Sequence, residues 1–163
     1  MPSSFANFKQ FIIPLEGQKL TNISGDDGGL TKYGITKKTY PNLDIANLTF
    51  EQACDIYETD FWKHYGLNRI DSQPVANKLM SFLMNMNPFS AVRCIQKAIN
   101  QCGGNIPEDG ILSQGTVSLI NRVQSGWLLD RFRIEGALFY TYRVRVDKTD
   151  LKFLEGWINR ALL

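Results

Sequence analysis

The chain has 163 residues, a length that suits one domain burying about two-thirds of its unfolded surface. Its net charge of +2 is close to neutral, and no basic patch interleaved with aromatics signals nucleic-acid recognition. Three cysteines without Cys-x-x-Cys spacing and a single imidazole, His64, indicate neither a zinc site nor a disulfide framework. Reduced core thiols are expected, with a nucleophilic pair of Cys54 or Cys94 and His64 as the minor alternative.

Ser3 or Ser4 can cap a first helix, in which Phe5, Phe8, Ile12 and Leu15 recur at spacings of three and four. Continuing that helix puts Glu16 four residues after Ile12, on the buried face. Pro14 removes a backbone donor and restricts Ile13, so a kink is expected before Glu16 is reached. Partial burial of a carboxyl favours its protonated form, which a general acid working near neutral pH needs.

Gly25, Asp26, Asp27, Gly28 and Gly29 follow, a run that permits positive φ and self-bonding Asp side chains. Such a run is either a tight hairpin turn or a site. Leu30 to Thr36 alternates weakly and predicts one short strand beside the loop. A glycosidase needs an acid on one side of the sugar ring and a second polar group on the other. Glu16 together with the loop's Asp and Thr31 could supply both.

The rest of the chain predicts helices. Thr49-Phe50-Glu51-Gln52 is a capping-box pattern that opens a segment through Ala53, Ile56, Tyr57 and Phe61, and Gly66 can end it. Pro74 can start a helix carrying Val75, Leu79, Phe82 and Met86. A further segment, Ala91 to Asn100, stops at Gly103-Gly104. Ser113 is a candidate cap after the turn Pro107 to Gly110. Trp127, Leu128, Phe132, Phe139, Tyr142 and Val146 recur at helical intervals in a long run without an evident cap and are expected in the core. Leu151, Leu154 and Trp157-Ile158 would close it in a short last helix. Tyr140 and Trp157 could line a sugar cleft but are read first as core.

Glu16-Gly17 and Asp26-x-Gly28-Gly29-x-Thr31-x-x-Gly34-Ile35-Thr36 resemble the motif of the peptidoglycan N-acetylmuramidases of glycoside hydrolase family 108. The similarity continues through Tyr40-Pro41-Asn42-Leu43-Asp44-Ile45, Tyr57, Phe61-Trp62, Asn85 and Phe153-Leu154-x-Gly156-Trp157-Ile158-Asn159-Arg160, nearly the whole chain. Gln18-Lys19 and Ser81 depart from the family pattern. Asp109, Gly110 and Thr116 resemble the turn of small helical peptidoglycan-binding modules, while Ser113 and Gln114 depart from it.

This resemblance implies a mainly α, lysozyme-like fold with a short β/loop region near the active site. It implies a catalytic lobe over residues 1–88 and a helical lobe like a peptidoglycan-binding module over 89–163, packed as one domain. It also implies hydrolysis of the β-1,4 bond between N-acetylmuramic acid and N-acetylglucosamine. Glu16 would be the acid; analogy with phage-type lysozymes, which place an Asp and a Thr at similar intervals after such a Glu, would make Asp26 the countercharge or water-activating base and Thr31 the group that positions water. Asp27 stands as an alternative to Asp26, and Asp27, Tyr33 and Asn85 as substrate contacts.

The expected partner is the peptidoglycan glycan strand, with no nucleic acid, no membrane insertion, no metal and no cofactor. No secretory leader is evident, so the chain is expected as a soluble cytoplasmic product that reaches the wall after release or export. Two other readings stay open: a lytic transglycosylase, and a wall-binding or secretion-associated protein that keeps the fold without turnover.

Overall fold

The computed structural model describes residues 2–12, 16, 19–21 and 29–163. The architecture is mainly α with a short β hairpin, as the lysozyme-like expectation has it. Two compact units are present, Ser4–His64 and Met1–Ser3 with Tyr65–Leu163. Among the described residues no helix is long and apolar enough to cross a membrane.

The Ser4–His64 unit is built from short elements. Helix α1 (Phe5–Lys9) is capped by Ser4, whose hydroxyl accepts from the Asn7 amide. It stops earlier than the apolar stripe predicts: Gln10 is the C-cap, and the Phe11 amide donates to the Phe8 carbonyl. Pro14 cannot donate to the Gln10 carbonyl four residues back, which removes one reason for the helix to run on unbroken. Ile12 and Glu16 are again helical, whereas Leu15 lies outside the described residues. Phe5 and Phe8 each lie 5.9 Å from the buried Trp62 ring, and Ile12 is fully buried.

Leu30 to Thr36 is a hairpin rather than one strand. Strands β1 (Thr31–Lys32) and β2 (Ile35–Thr36) pair antiparallel, Thr31 opposite Thr36 and Lys32 opposite Ile35. The two-residue connection Tyr33-Gly34 has φ of 52° and 76°, the pattern of a type I′ turn, whose twist matches that of the strands it joins. Thr21 bridges the other side of Thr31 through a pair of 2.8 Å backbone hydrogen bonds.

Helix α2 (Phe50–Tyr57) opens with the expected capping box: Thr49 accepts from the Gln52 amide and the Gln52 side chain accepts from the Thr49 amide. It continues as a π-helical segment, Glu58–Lys63, a wider winding that is rare and is frequent at functional sites when it does occur. Gly66 then turns the chain in the left-handed region, the freedom the sequence assigned to it.

The second unit is made of longer helices: α3 (Gln73–Asn85), α4 (Pro88–Gln101), α5 (Gln114–Arg122), α6 (Ser125–Val146) and α7 (Leu154–Leu162). Its core centres on Phe82, whose ring meets Phe132 edge-on at 4.9 Å and Tyr140 at 6.3 Å. Gly136 on α6 leaves no room for a Cβ against the Phe82 ring, so the absence of a side chain there lets the two helices close.

α6 departs from expectation in two ways. Its run does have a cap, since Gln124 accepts from the Trp127 amide at 2.6 Å. Only one face of it is core: Leu128 and Phe132 are buried, but Trp127, Tyr142 and Val146 are more than half exposed. Spacings of three and four describe both faces of a 22-residue helix, so periodicity alone does not choose between them.

Candidate active site

Glu16 is helical and half-buried, and its Oε1 is shielded from solvent. Its other oxygen lies against the hairpin turn. A Cβ built on Gly34 would come within 2.5 Å of Glu16 Oε2 and within 2.5 Å of the Tyr57 hydroxyl oxygen. The two oxygens therefore meet above the same bare Cα and stand at most about 5 Å apart, twice that distance. Glycine answers both demands of this position, a positive φ and a close approach by two side chains.

Tyr57 arrives from the last turn of α2 with 3% of its surface exposed. Its hydroxyl donates to the Tyr33 carbonyl at 2.8 Å, so it holds the first residue of the turn while Gly34, the second, faces Glu16. Tyr33 itself has positive φ, a conformation uncommon for a bulky residue. Its ring is half-buried, 5.8 Å from that of Phe50, with the Lys32 ammonium 5.7 Å from its centroid. Lys9 places its own ammonium 5.4 Å from the Phe50 ring.

Thr31 stands at the start of the hairpin, half-buried, and its hydroxyl donates to the Gly29 carbonyl at 3.0 Å. That bond spends its one hydrogen and leaves its lone pairs as acceptors, able to take a hydrogen bond from a water molecule. Asp26 and Asp27 lie outside the described residues. Asn85, the last residue of α3 in the second unit, is exposed and accepts from the Tyr140 hydroxyl at 2.6 Å. Tyr140 is buried and stacks on Trp157 at 5.2 Å, which makes it core.

The turn that resembles a peptidoglycan-binding module spends its polar groups within the chain. Asp109 accepts from the side chain of buried Gln96 at 2.7 Å and from the Ile111 amide at 2.9 Å, bonds that hold its carboxyl below the usual range. Gln96 in turn accepts from the Gly110 amide at 2.8 Å, and Ser113 caps α5 through the Thr116 amide. Burial pushes the Cys94 thiol up to about 12 and raises that of Cys54 as well, which disfavours the thiolate a nucleophile needs.

The residues that sequence reasoning left without a role are Gly34 and Tyr57. A Tyr-Gly pair between Thr-Lys and Ile-Thr carries the signal of a two-residue hairpin, and that hairpin places Gly34. Nothing in the spacing of α2 links Tyr57 to it.

No match is found among curated proteins. The fold is similar to that in the structure of Brucella abortus SagA, with a TM-score of 0.78 and 21% identity over 96% of this chain and 88% of that one. The model of the family Glycosyl hydrolase 108 matches residues 9–86, a stretch that contains Glu16, the Tyr33-Gly34 turn and Tyr57. Residues 9–86, a little under half of the chain, are thus similar to glycosyl hydrolase family 108.

Proposed function

We propose that the chain is a peptidoglycan hydrolase, an N-acetylmuramidase that cleaves the β-1,4 bond between N-acetylmuramic acid and N-acetylglucosamine. The observation that carries this reading is the half-buried, helix-borne Glu16, with one oxygen shielded from solvent and the other against the Gly34 turn, inside the matched segment. A carboxyl so enclosed is suited to the protonated form and to a fixed direction of proton delivery.

Glu16 donates its proton to the glycosidic oxygen as the bond to the muramic acid carbon breaks. Asp26, or Asp27 in its place, supplies the carboxylate across the ring, either stabilising the oxocarbenium-like carbon or removing a proton from the incoming water. Thr31 accepts a hydrogen bond from that water and leaves one of its lone pairs to face the carbon. Tyr33 and Asp27 contact the glycan.

The test is release of new reducing ends from purified peptidoglycan, with Glu16→Gln beside the parent. The parent is expected to release ends, and the near-isosteric variant to lose at least about a hundredfold, the usual worth of a general acid. Equal release by both would remove Glu16 from the chemistry, and none from the folded parent across several wall types would end the hydrolase reading.

A further inference from the structure

We infer that Tyr57 is a positioning residue for Glu16, acting through the Tyr33-Gly34 turn. The inference rests on the reading of Glu16 as the acid. Three observations meet at one point. The phenol oxygen and Glu16 Oε2 crowd the same Gly34 Cα at 2.5 Å from its missing Cβ. The Tyr57 hydroxyl anchors the Tyr33 carbonyl at 2.8 Å. The turn it anchors carries a non-glycine residue at φ 52°, a conformation that persists only where its surroundings hold it.

Tyr57 is also well placed to act as a rigid strut. It is 3% exposed, and its ring packs 5.7 Å from that of Phe61 on the π-helical segment. The chain therefore fixes the phenol from behind while the hydroxyl fixes the turn in front. With that bond intact, Gly34 presents a bare Cα to Glu16 and limits where its carboxyl can lie. With the bond removed, the Tyr33 peptide is free to leave the left-handed region, and the wall against Glu16 moves with it.

Tyr57→Phe removes only the hydroxyl. A misplaced acid slows the chemical step while leaving glycan contacts in place, so kcat is expected to fall on the order of 10- to 100-fold with KM within about twofold. Rates are normalised to the folded fraction, read by thermal melting. A wild-type kcat per folded molecule in Tyr57→Phe would overturn the inference while Glu16→Gln, if inactive, left the glycosidase reading standing.

A second readout needs no activity. Melting shifts of Glu16→Gln, Tyr57→Phe and the double variant are expected to be non-additive, because both side chains bear on one turn. Additive shifts would overturn the inference. If the parent itself released no reducing ends, the glycosidase reading would fail and this cycle would still decide whether Tyr57 and Glu16 are coupled.

Discussion

The two units spend their sequence differently. In Tyr65–Leu163, helices of up to 22 residues bury a continuous apolar core, and most polar side chains inside it have partners within the chain. In Ser4–His64, a five-residue helix, two-residue strands and a π-helical segment hold an aromatic cluster, and a carboxyl is half-buried against a left-handed turn. Regular elements make stability easy to supply through packing. Short elements with strained turns make it easy to bring groups from distant positions, such as 16, 34 and 57, to one point.

The comparison predicts that large losses of stability without direct effect on chemistry will come from the helical unit. Phe132→Ala removes a fully buried ring that meets Phe82 edge-on, and it should cost about 3–5 kcal/mol in urea denaturation. A loss under about 1 kcal/mol would mean that this core tolerates a cavity and is not the rigid half of the contrast.

The hairpin sharpens the contrast with a matched pair of glycines. Gly34→Ala and Gly29→Ala both place a Cβ at positive φ, which costs about 1–2 kcal/mol. Only at Gly34 does that Cβ meet Glu16 and Tyr57, whereas at Gly29 nothing lies within 4 Å. Gly34→Ala should therefore cost more stability than Gly29→Ala and should abolish most glycan cleavage, and Gly29→Ala should leave Glu16 undisturbed. Equal effects of the two on stability and rate would show that the close approach at Gly34 is without consequence.

A pH dependence is expected in the helical unit. Burial, with Arg133 and Arg160 nearby, lowers Lys78 from the ordinary 10.5 to about 8, and its ammonium donates to the Arg160 carbonyl at 2.8 Å. Between those two values the unfolded chain binds the proton that the folded chain has given up, so this group makes stability rise with pH across that window. Measured against Lys78→Met, parent stability should gain from pH 8 to 10.5. A constant difference would show that Lys78 titrates as an exposed lysine does.

Much of this fold is legible in the chain. The Thr49 capping box, the Ser113 cap, Pro74 at the opening of its helix and Gly66 at its turn are local signals, and local hydrogen bonding decides most of them. The faces of α6 were less legible, because periodicity reports that a stripe exists and tertiary packing decides which stripe is covered. At the site, Glu16 was legible as a half-buried helical carboxyl, and Thr31 as a member of the short β region. The meeting of Gly34, Tyr57 and Glu16 was not, since it joins three segments by distance in space and none of the three signals the others. The weak alternation of Leu30 to Thr36 predicts one continuous strand through Tyr33, and its positive φ follows from the two-residue turn that this alternation conceals.

The proposed function has Glu16 drive hydrolytic cleavage of a glycan. Its most direct test is mass spectrometry of the fragments formed from purified peptidoglycan in ¹⁸O-water by the parent and by Glu16→Gln. Reducing N-acetylmuramic acid ends carrying one heavy oxygen are expected in the parent digest and are lost in the variant. Ends of the 1,6-anhydro type without heavy oxygen would identify a transglycosylase instead, and unlabelled, uncut strands from a folded parent would contradict catalysis outright.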